Sequence, residues 1–205
     1  EVTRCLPEIQ DSLISILSEK RLTVPELGIE KSAIKGFSLI ATANTRDRGV
    51  NDMSAALKRR FNLVTLPPPK DLETEMSIVE QRVKQLSAKL DTNSKIPGEQ
   101  IVKKVVTIFR ELRSGMTLDS RNKIKSPSGI LSTAEAISLL TNSMALAGSF
   151  GSGQVEDEDL AAGLQGAIIK NDEKDSLVWQ EYLNNVMKRK GGDWQKLYSS
   201  CCELL

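Results

Sequence analysis

The sequence predicts an α/β segment over residues 1–70 followed by an all-helical segment over 71–205. Three observations carry that reading. Phe37-Ser-Leu-Ile-Ala-Thr-Ala-Asn44 is a nearly unbroken apolar run without helical spacing, the pattern of a strand buried on both faces of a parallel sheet. Phe61-Asn-Leu-Val-Thr-Leu66 reads as a second strand, stopped by Pro67-Pro68-Pro69. Beyond those prolines the apolar residues switch to helical spacing and keep it to the end of the chain.

Within the first segment, Ile9, Leu13, Ile16 and Leu17 recur at helical intervals, and Pro7 suits the first turn of that helix. Arg21 to Val24, with Pro25 and Gly28 beyond, predicts a β-hairpin leading into the apolar run. Asn44 then ends the run where the chain must leave the sheet, and carboxyl ends of strands are where α/β sheets bind ligands. A charged loop (Thr45-Arg46-Asp47-Arg48-Gly49) and a short helix closing on Arg59 and Arg60 precede Phe61. Helix, hairpin, strand, helix and strand make half a sheet, which cannot bury its own faces, so further residues are expected ahead of Glu1.

In the second segment Asp71 is an N-cap for a helix to about Leu90 with Met76, Val79, Val83 and Leu86 on one face. Ile101 to Leu112 marks a second helix ending before Gly115. Residues 114–131 form an unusually long polar loop. Ser132-Thr-Ala-Glu135 is a capping box opening a third helix, expected to end at Gly148. Glu156-Asp-Glu-Asp159 opens a fourth, its carboxylates facing the positive helix end. Helices over about Asp175 to Arg189 and Asp193 to Leu204 complete the chain. Trp179, Tyr182, Trp194 and Tyr198 there are packing anchors or a partner interface.

Totals exclude several functions. Net charge is +1, so no global field recruits nucleic acid or an acidic membrane. The chain has no histidine, which removes imidazole acid–base chemistry and His-ligated metals. Cys5, Cys201 and Cys202 are odd in number and lack metal-ligand spacing, and a reducing, cytoplasmic setting is expected. No apolar run approaches the roughly 18 residues of a membrane span, and no signal peptide is recognisable at the start.

Taken singly, the polar residues have ordinary readings. Asn44 is a loop-starting amide that can bond its own backbone. Arg59 and Arg60 are charges at a helix C-terminus, and Arg46 and Arg48 are loop charges. The run from Lys103 to Lys125 holds seven Lys and Arg but no aromatic interleaving that supports stacking on bases, so it reads as a solvated face, not a nucleic-acid platform.

Order and spacing change those readings. Glu1-Val-Thr-Arg4 with Pro7 and Gln10, the helix ending Leu17-Ser-Glu19, the hairpin at Leu22-Thr-Val24, Phe37 to Asn44 and Leu57 to Phe61 together resemble the AAA+ ATPases, a P-loop NTPase family, and among them the MoxR-like branch. The helical remainder resembles the AAA+ lid with extra C-terminal helices. The resemblance implies that residues 1–70 are the C-terminal part of the α/β core, with the Walker-B end, pre-sensor hairpin, sensor 1 and arginine finger. It gives Glu1 the position of the second Walker-B acid, which polarises the attacking water. It gives Asn44 the sensor-1 position at the γ-phosphate, and Arg60 (with Arg59 as the alternative) the arginine finger that acts on a neighbouring subunit's nucleotide. ATP and Mg²⁺ are the implied cofactors. The implied assembly is a homo-oligomeric ring, expected to be a hexamer, that remodels protein partners, one candidate being a protein with a von Willebrand A domain.

The sequence also departs from that pattern. No G-x-x-x-x-G-K-[ST] occurs, so the phosphate-cradling loop is not in this chain, and neither is the Asp that would support Mg²⁺. Ala134 stands where many relatives carry a sensor-2 arginine, leaving Arg121, Lys123 or Lys125 as substitutes. Two other functions share the resemblance: a DNA-remodelling motor, which the Glu26 and Glu30 of the hairpin region disfavour, and a scaffold that has lost turnover.

Overall fold

The chain divides between Leu66 and Pro67 into two units, Glu1–Leu66 and Pro67–Leu205. The computed structural model describes residues 1–43, 53–89 and 93–205.

In the first unit a 3₁₀ turn (Val2–Arg4) leads into α1 (Pro7–Glu19), which starts on Pro7 as expected. Lys20, in the left-handed region at φ 59°, ends α1 and turns the chain into β1 (Arg21–Val24). β1 pairs antiparallel with β2 (Ile29–Ser32) in the register Arg21–Ser32 to Val24–Ile29. A 3₁₀ turn, Pro25–Leu27, and Gly28 at φ 61° make the connection, a conformation glycine adopts without steric cost. The Arg21–Glu30 ion pair bridges the strands at 2.9 Å, exposed and therefore of small energetic weight. α2 (Ala55–Lys58) is a single turn capped by the Ser54 hydroxyl, which accepts from the Leu57 N–H.

The predicted parallel strands are not formed among the described residues, whose sheet is the hairpin alone. Phe37–Ala43 lacks strand pairing, and Ile40 is 92% exposed, the reverse of a strand buried on both faces. Phe61–Leu66 is likewise irregular, with Leu63, Val64 and Leu66 exposed. The reason is that a strand exists only through its neighbours. The backbone bond from the Val2 N–H to the Thr42 carbonyl (2.9 Å) joins two segments at one point and is too little to found a ladder.

The second unit is helical. Asp71 caps α3 (Leu72–Ser87) by accepting from the Thr74 N–H at 2.7 Å. α4 (Glu99–Ser114) ends at Gly115, which is left-handed at φ 69°. α5 (Thr133–Phe150) opens with the predicted capping box, Ser132 and Glu135 each bonding the other's backbone N–H. It does not end at Gly148. The helix continues to Phe150, and the Gly151 N–H closes it on the Ala147 carbonyl. α6 (Asp157–Ile168) is capped reciprocally by Glu156 and Asp159. α7 (Asp172–Tyr182) runs through a π-helical turn, Leu183–Met187, into α8 (Lys188–Lys190), and α9 (Trp194–Glu203) follows.

α4 lies at the centre. Val102, Val105, Val106, Ile108, Phe109 and Leu112 are all buried on one face, and Lys104, Thr107 and Glu111 are buried beyond it, which requires partners on most of its circumference. Val79 and Val83 of α3 and Leu140 and Met144 of α5 pack with it, and Leu160 and Leu164 of α6 and Leu197 of α9 extend the same core. Burying each such side chain contributes roughly 1.5–3 kcal/mol. Gly163 lets α6 approach α5 closely, since a Cβ there would stand 3.1 Å from Leu139 Cγ. Trp179 and Tyr182 are buried and stacked, their rings 5.7 Å apart at 9°, and Trp194 and Tyr198 pack against the same core.

Candidate functional site

The first unit holds its candidate residues on a small core. Val2, Met53 and Leu57 are buried together, with Leu13, Ile14, Leu17 and Phe61 packed around them. Val2 fixes the backbone next to Glu1, and Leu57 with Phe61 flanks Arg60. Glu1 itself is exposed, and its Oε2 accepts from Arg4 Nε at 3.0 Å. The Val2–Thr42 backbone bond brings this end of the chain beside the close of the 37–43 run. Asn44, two residues on, lies outside the described residues, as do Arg46 and Arg48. Thr3, two residues from Glu1, is buried, and its hydroxyl has no hydrogen-bond partner among the described residues.

Arg60 is exposed on its own unit's surface. Its Nε donates to Ser18 Oγ at 2.6 Å and its Nη1 to the Ala56 carbonyl at 2.8 Å, so α1 and α2 orient the guanidinium. Arg59 is also exposed and caps α2. Chemically, Glu1 offers an accessible carboxylate that can accept a proton, and Arg60 an accessible guanidinium that can pair with an anion. The glycine-rich phosphate-cradling motif is not in this sequence.

The second unit contains buried charges that sequence reading missed. Glu75 of α3 is fully buried and accepts from Arg113 through both oxygens (3.1 and 2.7 Å), from Arg110 (2.8 Å) and from the Thr133 hydroxyl (2.8 Å). Burial pushes its carboxyl up, but the hydrogen bonds from Arg113, Thr133 and Arg110 outweigh it, and the group is held below its ordinary value. Arg110 also donates to the carbonyls of Pro69, Lys70 and Asp71, gathering the chain just after the three prolines. The Arg113 Nη1 reaches the Leu131 carbonyl at 2.9 Å, so a cation does stand at the start of α5 although Ala134 is not one.

Glu111 of α4 is the second centre. It accepts from the Tyr182 hydroxyl (2.5 Å), Lys190 Nζ (2.9 Å) and the Leu118 N–H (3.1 Å). Burial, then the charge of Glu111, raises the Tyr182 phenol well above its ordinary value. Lys190 also lies over the Trp194 ring at 4.7 Å. Asp175 is the third, accepting from the Ser128 N–H and hydroxyl and from the Lys170 and Asn171 N–H groups. Burial opposes its ionisation, but the Ser128, Asn171 and Lys170 bonds prevail and lower it. Lys104 and Asp157 form a fourth pair at 2.7 Å. The only legible trace of these centres was position: Glu75 and Glu111 fall beside apolar-face residues (Met76, Leu112), where a solvated carboxylate has no place. Each charge is compensated, so these groups position helices and carry no free acid or base.

The 114–131 loop is tied to these centres. Leu118 bonds Glu111, Ser128 bonds Asp175, and Met116 and Lys123 form an isolated antiparallel bridge. Lys123 and Lys125 face α7 across a cleft, while Arg121 pairs with Asp119 at 3.7 Å. Among the described residues, no group of three or more Cys, Asp or Glu could hold a metal ion, and no helix is long and apolar enough to cross a membrane.

Residues 1–61 match the model of the AAA domain of the dynein-related subfamily, which makes the class an AAA+ ATPase. Residues 73–204 match the model of the YehL-like AAA+ ATPase C-terminal domain, and the chain belongs to that family. It is 36% identical over 204 residues to the uncharacterized protein YehL of Escherichia coli (strain K12), a similarity covering 98% of this chain and 56% of that protein. The chain therefore spans little more than half the length of its relative. No solved structure matches it.

Proposed function

We propose that this chain supplies the C-terminal portion of a MoxR-like AAA+ ATPase subunit, residues 1–70 completing an α/β core and 71–205 forming its lid. In this reading Phe37–Ala43 and Phe61–Leu66 are strands of a parallel sheet whose other strands come from the rest of the protein. Leu6, Ile9, Leu27, Ile34, Ile40, Leu63, Val64 and Leu66 of this short unit are all exposed, a density of apolar surface that calls for covering protein.

ATP with Mg²⁺ supplies the γ-phosphoryl group that passes to water. Glu1 orients that water and takes its proton, Asn44 donates its amide to the terminal phosphate, and Arg60 of a neighbouring subunit neutralises the charge that develops there. Arg59 takes that role if the helix is rotated by one residue. In GTPases such a finger is worth roughly 10³–10⁵ in rate. Subunits assemble as a hexameric ring in the cytoplasm, the lid turns about Pro67–Pro69, and the motion remodels a protein client, with a von Willebrand A domain protein as the expected partner.

The Val2–Thr42 backbone bond carries the reading, because it joins the segment of Glu1 to the segment that ends on Asn44. The test is ATP hydrolysis by the full-length protein. Glu1→Gln and Arg60→Ala should each abolish turnover, and mixing the two variants should restore up to about one quarter of it, since a head-to-tail ring then contains interfaces with both residues intact. Unchanged hydrolysis in the single variants defeats the assignment. Inactive singles with no recovery on mixing defeat the trans role of Arg60.

A further inference from the structure

Five cations of the basic run from Lys103 to Lys125 fall into two groups. Lys104, Arg110 and Arg113 are spent in ion pairs with Asp157 and Glu75. Lys123 and Lys125 instead converge with Arg189, from the far end of the α7–α8 helix, on a cleft of about 230 Å³. Glu181, Asn122 and Asn185 complete its polar lining, and Val178 and Val186 contribute apolar wall. Lys125 pairs with Glu181 at 2.8 Å, both exposed, while Lys123 and Arg189 make no ion pair among the described residues. Asn185 and Val186 belong to the π-helical turn, a rare element found frequently at functional positions.

We propose that this cleft binds an acidic segment of a protein partner, with Lys123 and Arg189 taking its carboxylates. The volume lies below the roughly 300–1,000 Å³ of small-molecule pockets, so it accommodates one or two side chains of a longer ligand. Two unpaired cations select an anion, and the Asn122 and Asn185 amides offer both donors and acceptors to an extended peptide backbone. Nucleic acid fits worse. The aromatic residue of the lining, Tyr182, is buried and bonded to Glu111, so no ring is free to stack on a base. The proposal goes beyond the hydrolytic reading and stands without it.

The test is fluorescence anisotropy of a labelled peptide alternating Glu and Ala with the full-length protein, in the absence of nucleotide. The peptide should bind, weaken as salt is raised, and lose at least about tenfold in affinity in the Lys123→Glu/Arg189→Glu variant. A Lys123→Gln/Arg189→Gln variant with unchanged circular dichroism should lose less, and Lys35→Glu in the other unit should lose nothing. An oligothymidylate of matched charge should not compete. No peptide binding to the wild-type protein, or binding by both double variants equal to the wild type's, overturns the proposal. So does oligothymidylate binding that exceeds the peptide's and disappears in the same variants.

Discussion

Arg113 and Glu75 meet fork to fork: Nη1 lies 3.1 Å from Oε1 and Nη2 2.7 Å from Oε2, in a setting where the carboxylate is fully buried. With Arg110 and Thr133 on the remaining lone pairs, three helices are joined at one carboxylate. Removing Arg113 takes the two-pronged contact from a buried carboxylate while Arg110 and Thr133 remain on it. Arg113→Ala should therefore destabilise the helical unit by about 1.5–3 kcal/mol in urea denaturation. Arg113→Lys keeps the charge but cannot reproduce the fork, and should recover only part of the loss.

Acid should undo the same unit in a defined window. Glu75 and Asp175 are both held below their ordinary values of 4.5 and 3.8, so the folded state binds fewer protons than the unfolded one. Their contribution is fully present above those ordinary values and disappears as pH falls through the lower folded ones. Stability should be level from neutral pH to about 5 and decline below that. Glu75→Gln and Asp175→Asn should each lower stability at pH 7 and flatten the acid limb, as followed by urea midpoints across pH.

Tyr182→Phe keeps the stack on Trp179 but removes one of three donors to the buried Glu111. The expected cost is about 1–3 kcal/mol. Lys190→Met should cost at least as much, because it leaves the carboxylate uncompensated. The two losses should not add, since both act on one acceptor, and a double-mutant cycle measures the shortfall.

The adjacent cysteines should behave as opposites. Cys202 is exposed, whereas Cys201 is buried and its thiol is pushed up to about 12, by burial first and by Cys202 second. Iodoacetamide at pH 8 should modify Cys202 and spare Cys201 in the native protein, and should modify both once urea unfolds it. Peptide mass spectrometry distinguishes them. Modification of Cys201 in the native state would contradict the packing of α9 against the core.

The helices were legible because their signals are local. Asp71, the Ser132–Glu135 box and Gly115 each act within one turn, and the apolar spacing of α4 is intrinsic to its sequence. Gly148 misled because a glycine inside a well-packed helix costs only about 1 kcal/mol, and Met144 and Ala147 on the core side hold that last turn in place. The π-helical turn leaves no periodicity signal, since Leu183, Val186 and Met187 are apolar in either helix type. Phe37–Ala43 looked like a buried strand because its composition is that of one, but composition does not supply the neighbours that define a sheet. The buried charges escaped for a related reason. Arg113 is 38 residues from Glu75 and Tyr182 is 71 from Glu111, so neither pairing exists until the helices are assembled.

Arg110 catches the carbonyls of Pro69, Lys70 and Asp71 in succession while anchored on Glu75. The tether into the helical unit is thereby lashed to the central helix before α3 begins. A pull arriving along the chain meets no slack there: it is delivered at once to α4, and through α4 to every helix packed around it.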